Sequence, residues 1–206
     1  MSLLTLKKVD FPKVNPTYLA ALVPTAVALN FAGTAIRQAV GIPLFLDTGG
    51  TILVSLIAGP WYGALVAILS AIVRAITLNP MMIFIFPVGV VCALIVGYAA
   101  RYSITRSWLG LLLTLFVMVP FMSVVSAFVY AYIYGGFSGS AIDILSAVFI
   151  KSTGSIFKGL FISQMLTSWV DKGILLAIDV AILRALPVQY QILTPFGKTK
   201  DNKIAS

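Results

Sequence analysis

The sequence predicts an all-α integral membrane protein: a compact bundle of six transmembrane helices, with a lid loop after the first and short amphipathic helices between the fifth and sixth. Three observations carry this. The 206-residue chain is 60% hydrophobic and only 10% charged, against about a quarter charged in soluble domains. The apolar residues fall in runs of membrane length, and mean hydropathy is +1.06. The basic residues, which give a net charge of +8, gather at the termini and short loops, as orientation in a bilayer requires.

Residues 1–15 form a polar, basic lead, read as a cytoplasmic segment. No cleavable signal peptide is expected, because the first apolar run is long and lacks a small-residue cleavage pattern after a short core. Asn15-Pro16 starts the first span, about Thr17 to Ala39, with Pro24 set to bend it. Small residues at Ala21, Thr25, Ala28, Ala32, Ala35 and Ala39 alternate in spacing between four and three, drawing a flat stripe along one face. Such stripes let helices approach closely in lipid. Asn30 and Arg37 are its polar exceptions.

The loop that follows carries Pro43, Phe45 and Asp47, then Gly49-Gly50. A carboxylate between two apolar runs calls for a water-filled pocket, since bare hydrocarbon penalises it by several kcal/mol or roughly that order. This loop is read as the lid over a small-molecule site on the outer side.

A short second span, about Thr51 to Ala58, ends at Gly59-Pro60. Unaided, it is too short to cross. The third, about Trp61 to Thr77, belongs to a strict every-fourth stripe of Gly59, Gly63, Ala67, Ala71 and Ala75, and has Arg74 near its far end. After Asn79-Pro80 the fourth span, about Met82 to Ala100, repeats the pattern at Gly89, Ala93 and Gly97. The third and fourth stripes are read as packing within the chain, and the first as a docking face for another membrane subunit. Arg101 and Arg106 bracket a polar turn. The fifth span, about Trp108 to Tyr134, is kinked at Pro120 and ends in Tyr130, Tyr132 and Tyr134. Residues 135–168 are interrupted by Gly, Ser, Asp143, Lys151 and Lys158, and read as one or two short amphipathic helices lying over the outer face. The last span is about Trp169 to Leu186, stopped by Pro187. The membrane domain is thus 16–187 and the polar cytoplasmic tail 188–206. With both termini inside, nine of the fourteen basic residues fall on the cytoplasmic side.

The absence of histidine, and a single cysteine, remove His-based acid–base chemistry, zinc-type clusters and an intrachain disulfide. Cys92 is read as a packing residue in an apolar run. No catalytic set, metal site or cofactor is expected, nor a nucleic-acid partner. The outer polar set is Arg37, Asp47, Arg74, Asn79, Lys151, Lys158, Gln164, Trp169, Asp171 and Lys172. With Tyr130 and Tyr134 it offers convergent donors and aromatic faces, and its cationic excess suits a carboxylate or phosphate. The substrate-binding candidates are Arg37, Asp47, Arg74, Asn79, Tyr130, Lys158, Gln164 and Trp169. Asp171-Lys172 reads as a charged helix entry, and Asp179 must find a donor. No G-x-x-x-x-G-K-[ST] phosphate loop occurs, so energy for active transport would come from a partner.

Three segments carry a family resemblance. They are Ala28-Leu-Asn-Phe-Ala32 with Ala35 to Ala39, the run LFLDTGGTILVSLIAGPWYGALVAILSAI from Leu44 to Ile72, and WVDKGILLAIDVAILRALP from Trp169 to Pro187. In order and spacing the chain resembles the substrate-binding S component of energy-coupling factor (ECF) transporters. The resemblance implies an S-component-like six-helix fold in the bacterial plasma membrane and a vitamin-like ligand bound by the first outer loop and later helices. It also implies docking through Ala28, Ala32 and Ala35 on a transmembrane scaffold that carries two ATPase subunits. The outer cations tilt the ligand toward an acidic vitamin such as pantothenate. A multi-span sensor domain and a stand-alone facilitator are the competing expectations.

Overall fold

A computed structural model describes Phe11 and residues 15–185. The lysines before Asn15, Pro187 and the tail 188–206 lie outside the described residues, as does the side chain of Arg184.

Every regular element among the described residues is helical. They are α1 (Pro16–Val40), α2 (Gly49–Ala58), α3 (Pro60–Thr77), α4 (Phe86–Arg101), α5 (Trp108–Tyr132), α6 (Ile142–Thr153) and α7 (Ile156–Ala185). A 3-10 stretch, Pro80–Ile85, leads into α4, and a shorter one, Ile104–Arg106, leads toward α5. Four of these are long and apolar enough to cross a membrane: α1, α3, Pro80–Arg101 and α5. The chain is therefore suited to a bilayer. With its 10 residues α2 is about 15 Å long, half a hydrocarbon core.

The helix starts follow local chemistry. The Asn15 side chain accepts the Thr17 N–H at 3.0 Å, and Ser107 caps α5 by accepting the Gly110 N–H at 2.9 Å. Asp143 accepts from the backbone N–H groups of Ser138, Gly139 and Ser140, which folds the turn before α6. Gly154, at φ 63°, ends α6 and allows the tight corner into α7.

The main core gathers Ile52, Leu56 and Ile57 of α2 with Cys92 and Val96 of α4, Met118 of α5, and Leu175 and Leu183 of α7. Although short, α2 is buried along its whole length. Cys92 is fully buried, its thiol 3.5 Å from the Met118 sulfur. The glycine and alanine stripes of the third and fourth spans are used up inside: Gly89 faces Ala67, Gly63 faces Ala93 and Ser55, and Gly97 sits against Pro60. The α1 stripe differs. Ala21, Ala28, Ala32 and Ala39 are exposed and Ala35 is half-buried.

The helix expected from Trp169 in fact begins at Ile156 and runs unbroken for 30 residues, so only α6 in the 135–168 region is a separate short helix. The reason is that α7 turns its polar face inward. Ser163, Gln164, Thr167, Ser168, Asp171 and Lys172 are all at most 5% exposed, while Leu166, Val170, Ile174 and Ile178 are 42–55% exposed. Polar residues at helical spacing mimic a surface helix when read as sequence. Here they line an interior and the apolar face looks outward. The Asp171-Lys172 pair is accordingly mid-helix and buried, not a helix entry.

Candidate functional site

The site forms at the end of the bundle where α1, α3 and α5 finish and α7 begins. Its frame is Asn30, 1% exposed on α1. The Asn30 amide donates to Thr51 Oγ1 at 3.0 Å and Ser70 Oγ at 2.9 Å, and its carbonyl oxygen accepts the Gly50 N–H at 2.8 Å. One side chain thus ties α1 to the first turn of α2 and to α3. Gly50 is required there, since a Cβ would collide with the α1 backbone at Ala26.

The loop between α1 and α2 is held on two sides. The Leu46 N–H donates to Asp171 Oδ1 at 2.8 Å, with Leu46 in the left-handed region at φ 50°. Its carbonyl packs on Gly33, where any side chain would meet it. The next residue, Asp47, accepts from Arg74 Nη1 at 2.6 Å and lies 3.7 Å from Lys172 Nζ. Lys172 in turn contacts Asp171 Oδ2 at 2.5 Å. Arg74, Asp47, Lys172 and Asp171 therefore form a continuous chain of alternating sign, buried except at the partly exposed Asp47. Burial pushes the Asp47 carboxyl up, but Arg74, Lys172 and Arg37 outweigh it and hold the group at about 2. The Arg37 guanidinium and the Lys172 ammonium lie 5.9 and 5.7 Å from the Phe45 ring centre.

These groups surround an inner cavity of about 40 Å³, with Thr34, Thr48, Ser70, Ser126 and Ser168 adding polar edges and Met82, Ile85, Val88 and Met122 an apolar wall. A vestibule of about 440 Å³ adjoins it, bounded by the loop, Asn79, Tyr134 and the Ser138–Ile142 segment. Arg37, Met82, Ile85 and Tyr130 line both chambers and form the neck between them. Tyr130 and Tyr134 stack at 5.0 Å, and the Tyr134 hydroxyl donates to the Met81 carbonyl at 2.7 Å. Burial raises the Tyr134 phenol above its ordinary range.

Several buried polar atoms at this cavity have no hydrogen-bond partner among the described residues: Thr48 Oγ1, Arg74 Nε, and both amide atoms of Gln164. Gln164 is fully buried. Orphaned groups of this kind cost about 1–3 kcal/mol each. They are the usual mark of a site that receives a ligand or ordered water.

Of the expected binding residues, Arg37, Asp47, Arg74, Tyr130 and Gln164 meet around the inner cavity, and Asn79 borders the vestibule. The Asn79 side chain also accepts the Met81 N–H at 2.9 Å, capping the 3-10 stretch. Lys158 and Trp169 are not in this lining. Lys158 is exposed in the first turn of α7. Trp169 points the other way, its ring edge-on to Phe116 at 5.5 Å. Both follow from the early start of α7, which makes Gln164, Ser168 and Lys172 the residues of its inward face. Lys172 and the small hydroxyls are the site residues that sequence reasoning left out of its binding set. For Ser168 and Lys172 the signal is the recurrence of polar residues at helical spacing from Ser163 to Lys172, while Thr34, Thr48, Ser70 and Ser126 are isolated hydroxyls in apolar runs. Asp179 is 1% exposed, with no hydrogen-bond partner among the described residues. Among those residues no cluster of three or more His, Cys, Asp or Glu could hold a metal.

No family model matches the chain, and no curated protein or solved structure matches it.

Proposed function

We propose that the chain is the substrate-binding S subunit of an ECF-type importer in the bacterial plasma membrane, capturing a vitamin-like small molecule at the outer face. On this reading six elements cross: α1, α2, α3, Pro80–Arg101, α5 and α7. The half-length α2 is completed by the loop before it, both termini are cytoplasmic, and the Asp47 loop is the lid. The observation that carries the reading is the buried polar cavity beneath that loop, where the Gln164 amide, Arg74 Nε and Thr48 Oγ1 have no hydrogen-bond partner among the described residues. Such groups are costly in a packing core, and here they converge on one cavity. The exposed alanines of α1 supply the second requirement, a flat face on which a scaffold subunit with its two ATPases would dock. The subunit binds and the partners hydrolyse ATP.

The test joins binding to docking. Ala28→Trp and Ala32→Trp are expected to abolish uptake and co-purification with an ATPase module while ligand binding persists. Mutant complexes recovered at wild-type yield would remove the docking assignment. Mass spectrometry of the small molecule that co-purifies with the chain would identify the ligand, and repeated recovery of none would remove the binding assignment.

A further inference from the structure

We infer that the ligand is an elongated monoanion that enters head-first, placing a compact uncharged donor–acceptor head, of the carboxamide or lactam kind, against Gln164 and its single carboxylate against Arg37 at the neck. The inference rests on the reading of this cavity as the substrate site and adds the chemistry of what fills it.

Size sets the direction of entry. The inner cavity, about 40 Å³, is the size of about three water molecules. The adjoining vestibule is about 440 Å³, within the range of ordinary ligand pockets. Only a few heavy atoms reach the inner cavity, and the body of the ligand lies in the vestibule.

Charge sets which end is which. Arg74, Asp47, Lys172 and Asp171 pair in sequence at 2.6, 3.7 and 2.5 Å. Two cations and two anions cancel, so this chain of pairs adds no net charge to the inner site. A charged head would break a buried pair, which is costly in a poorly screened interior. What Gln164 lacks is a neutral complement. A side-chain amide has two donors and an acceptor, and all of Gln164's are unpartnered among the described residues. A group with adjacent N–H and C=O satisfies both faces of that amide at once.

Arg37 is the exception to the neutral balance. No carboxylate of the described residues lies within ion-pair distance of it. It faces the Phe45 ring and lines both chambers. A cation at the neck with no carboxylate in ion-pair contact among the described residues matches one carboxylate.

The experiment uses the full chain in lipid nanodiscs and four probe series of four to eight carbons: ω-carbamoyl monocarboxylic acids, the matching α,ω-dicarboxylic acids, the matching diamides and the matching methyl-ended monocarboxylic acids. Binding is read by isothermal titration and by the shift in melting temperature. For the best chain length, the carbamoyl acid is expected to bind at least tenfold tighter than either symmetrical probe. Arg37→Gln should bring it down to the level of the diamide. Gln164→Met, close in size, should erase its advantage over the monocarboxylate of equal length that ends in methyl. A dicarboxylate that binds as tightly or more tightly, a ranking unchanged by Arg37→Gln, or no binding by any probe would overturn the inference. Failure here is separable from failure of the transport reading. A chain that prefers dicarboxylates yet loses its ATPase partner on Ala28→Trp loses only the ligand chemistry.

Discussion

Leu46 and Asp171, 125 residues apart in sequence, are joined by a hydrogen bond of 2.8 Å from the backbone N–H of the first to the carboxylate of the second. The bond holds Leu46 at φ 50°, a conformation that costs a non-glycine residue about 1–2 kcal/mol. The same carboxylate neutralises Lys172. Asp171→Ala should therefore act twice, destabilising the fold by about 3 kcal/mol through a buried ammonium left with only the longer contact to Asp47 at 3.7 Å and freeing the loop. Asp171→Asn keeps an acceptor for Leu46 but not the charge. Thermal unfolding should fall in both variants. Hydrogen exchange at the Leu46 amide should accelerate strongly only in the alanine variant, and equal acceleration in both would refute the strap.

Asn30 makes three hydrogen bonds that span three helices. Asn30→Leu leaves the Gly50 N–H and two hydroxyls without it, and should cost about 3 kcal/mol. Unfolding titrations in mixed micelles would measure this. A loss below about 0.5 kcal/mol would mean that the hydroxyls and Gly50 find other partners.

The Asp47 carboxyl is lowered from 3.8 to about 2, which fixes the sign of its pH dependence. A lowered folded-state value means that its contribution to stability is complete above the unfolded value, near 4, and is lost as pH falls toward 2. The stability gap between the native chain and Asp47→Asn should be level from pH 5 to 8 and shrink below about pH 4. The groups that enforce this are Arg74 of α3, Lys172 of α7 and Arg37 of α1. A gap that already shrinks at pH 6 would contradict the pairing.

Arg74 and Lys158 are now a contrasting pair. Arg74 is 6% exposed and lines the cavity, whereas Lys158 is exposed outside it. Arg74→Ala should weaken an anionic or amide-bearing ligand by about 1.5–3 kcal/mol, and Lys158→Ala should leave affinity unchanged. Equilibrium binding on both variants decides. A larger effect at Lys158 would relocate the site toward the first turn of α7.

On α7, Ile174 is 42% exposed among the outward apolar residues while Ser168 is buried. Ile174→Lys should impair membrane insertion by about 2.5–3.5 kcal/mol if it lies near the bilayer centre. Ser168→Ala should insert normally. A glycosylation-reporter insertion assay would compare them, and unimpaired insertion of the lysine variant would place that face away from lipid.

Much of this was legible in sequence because apolar runs, Pro16, Pro60 and the Ser107 cap mark helix limits directly. The starts of α1, α3 and α5 differ from expectation by a residue or none. Arg37, Asp47, Arg74, Tyr130 and Gln164 were singled out because polar groups are scarce in such runs, and scarcity is informative in an apolar setting. What was not legible depended on facing. Periodicity shows that Ser163 to Lys172 share a side of a helix, but not whether that side meets water, lipid or a cavity. Asn30 was noticed only as an exception to a stripe. Its partners, Thr51, Ser70 and Gly50, are ordinary small residues whose meeting depends on how three helices cross.

The tether between Leu46 and α7 also bears on how the protein is made. Helices leave the ribosome in order, so the segment with Asp47 and Arg74 reaches the bilayer before Asp171 and Lys172 have been translated. Until they arrive, the loop lacks its tie through Leu46 and Asp47 has only its arginines. α7 is thus the keystone of biogenesis: a nascent chain arrested short of Asp171 would lack the bond that fixes Leu46 and, on the proposed reading, could not close its site.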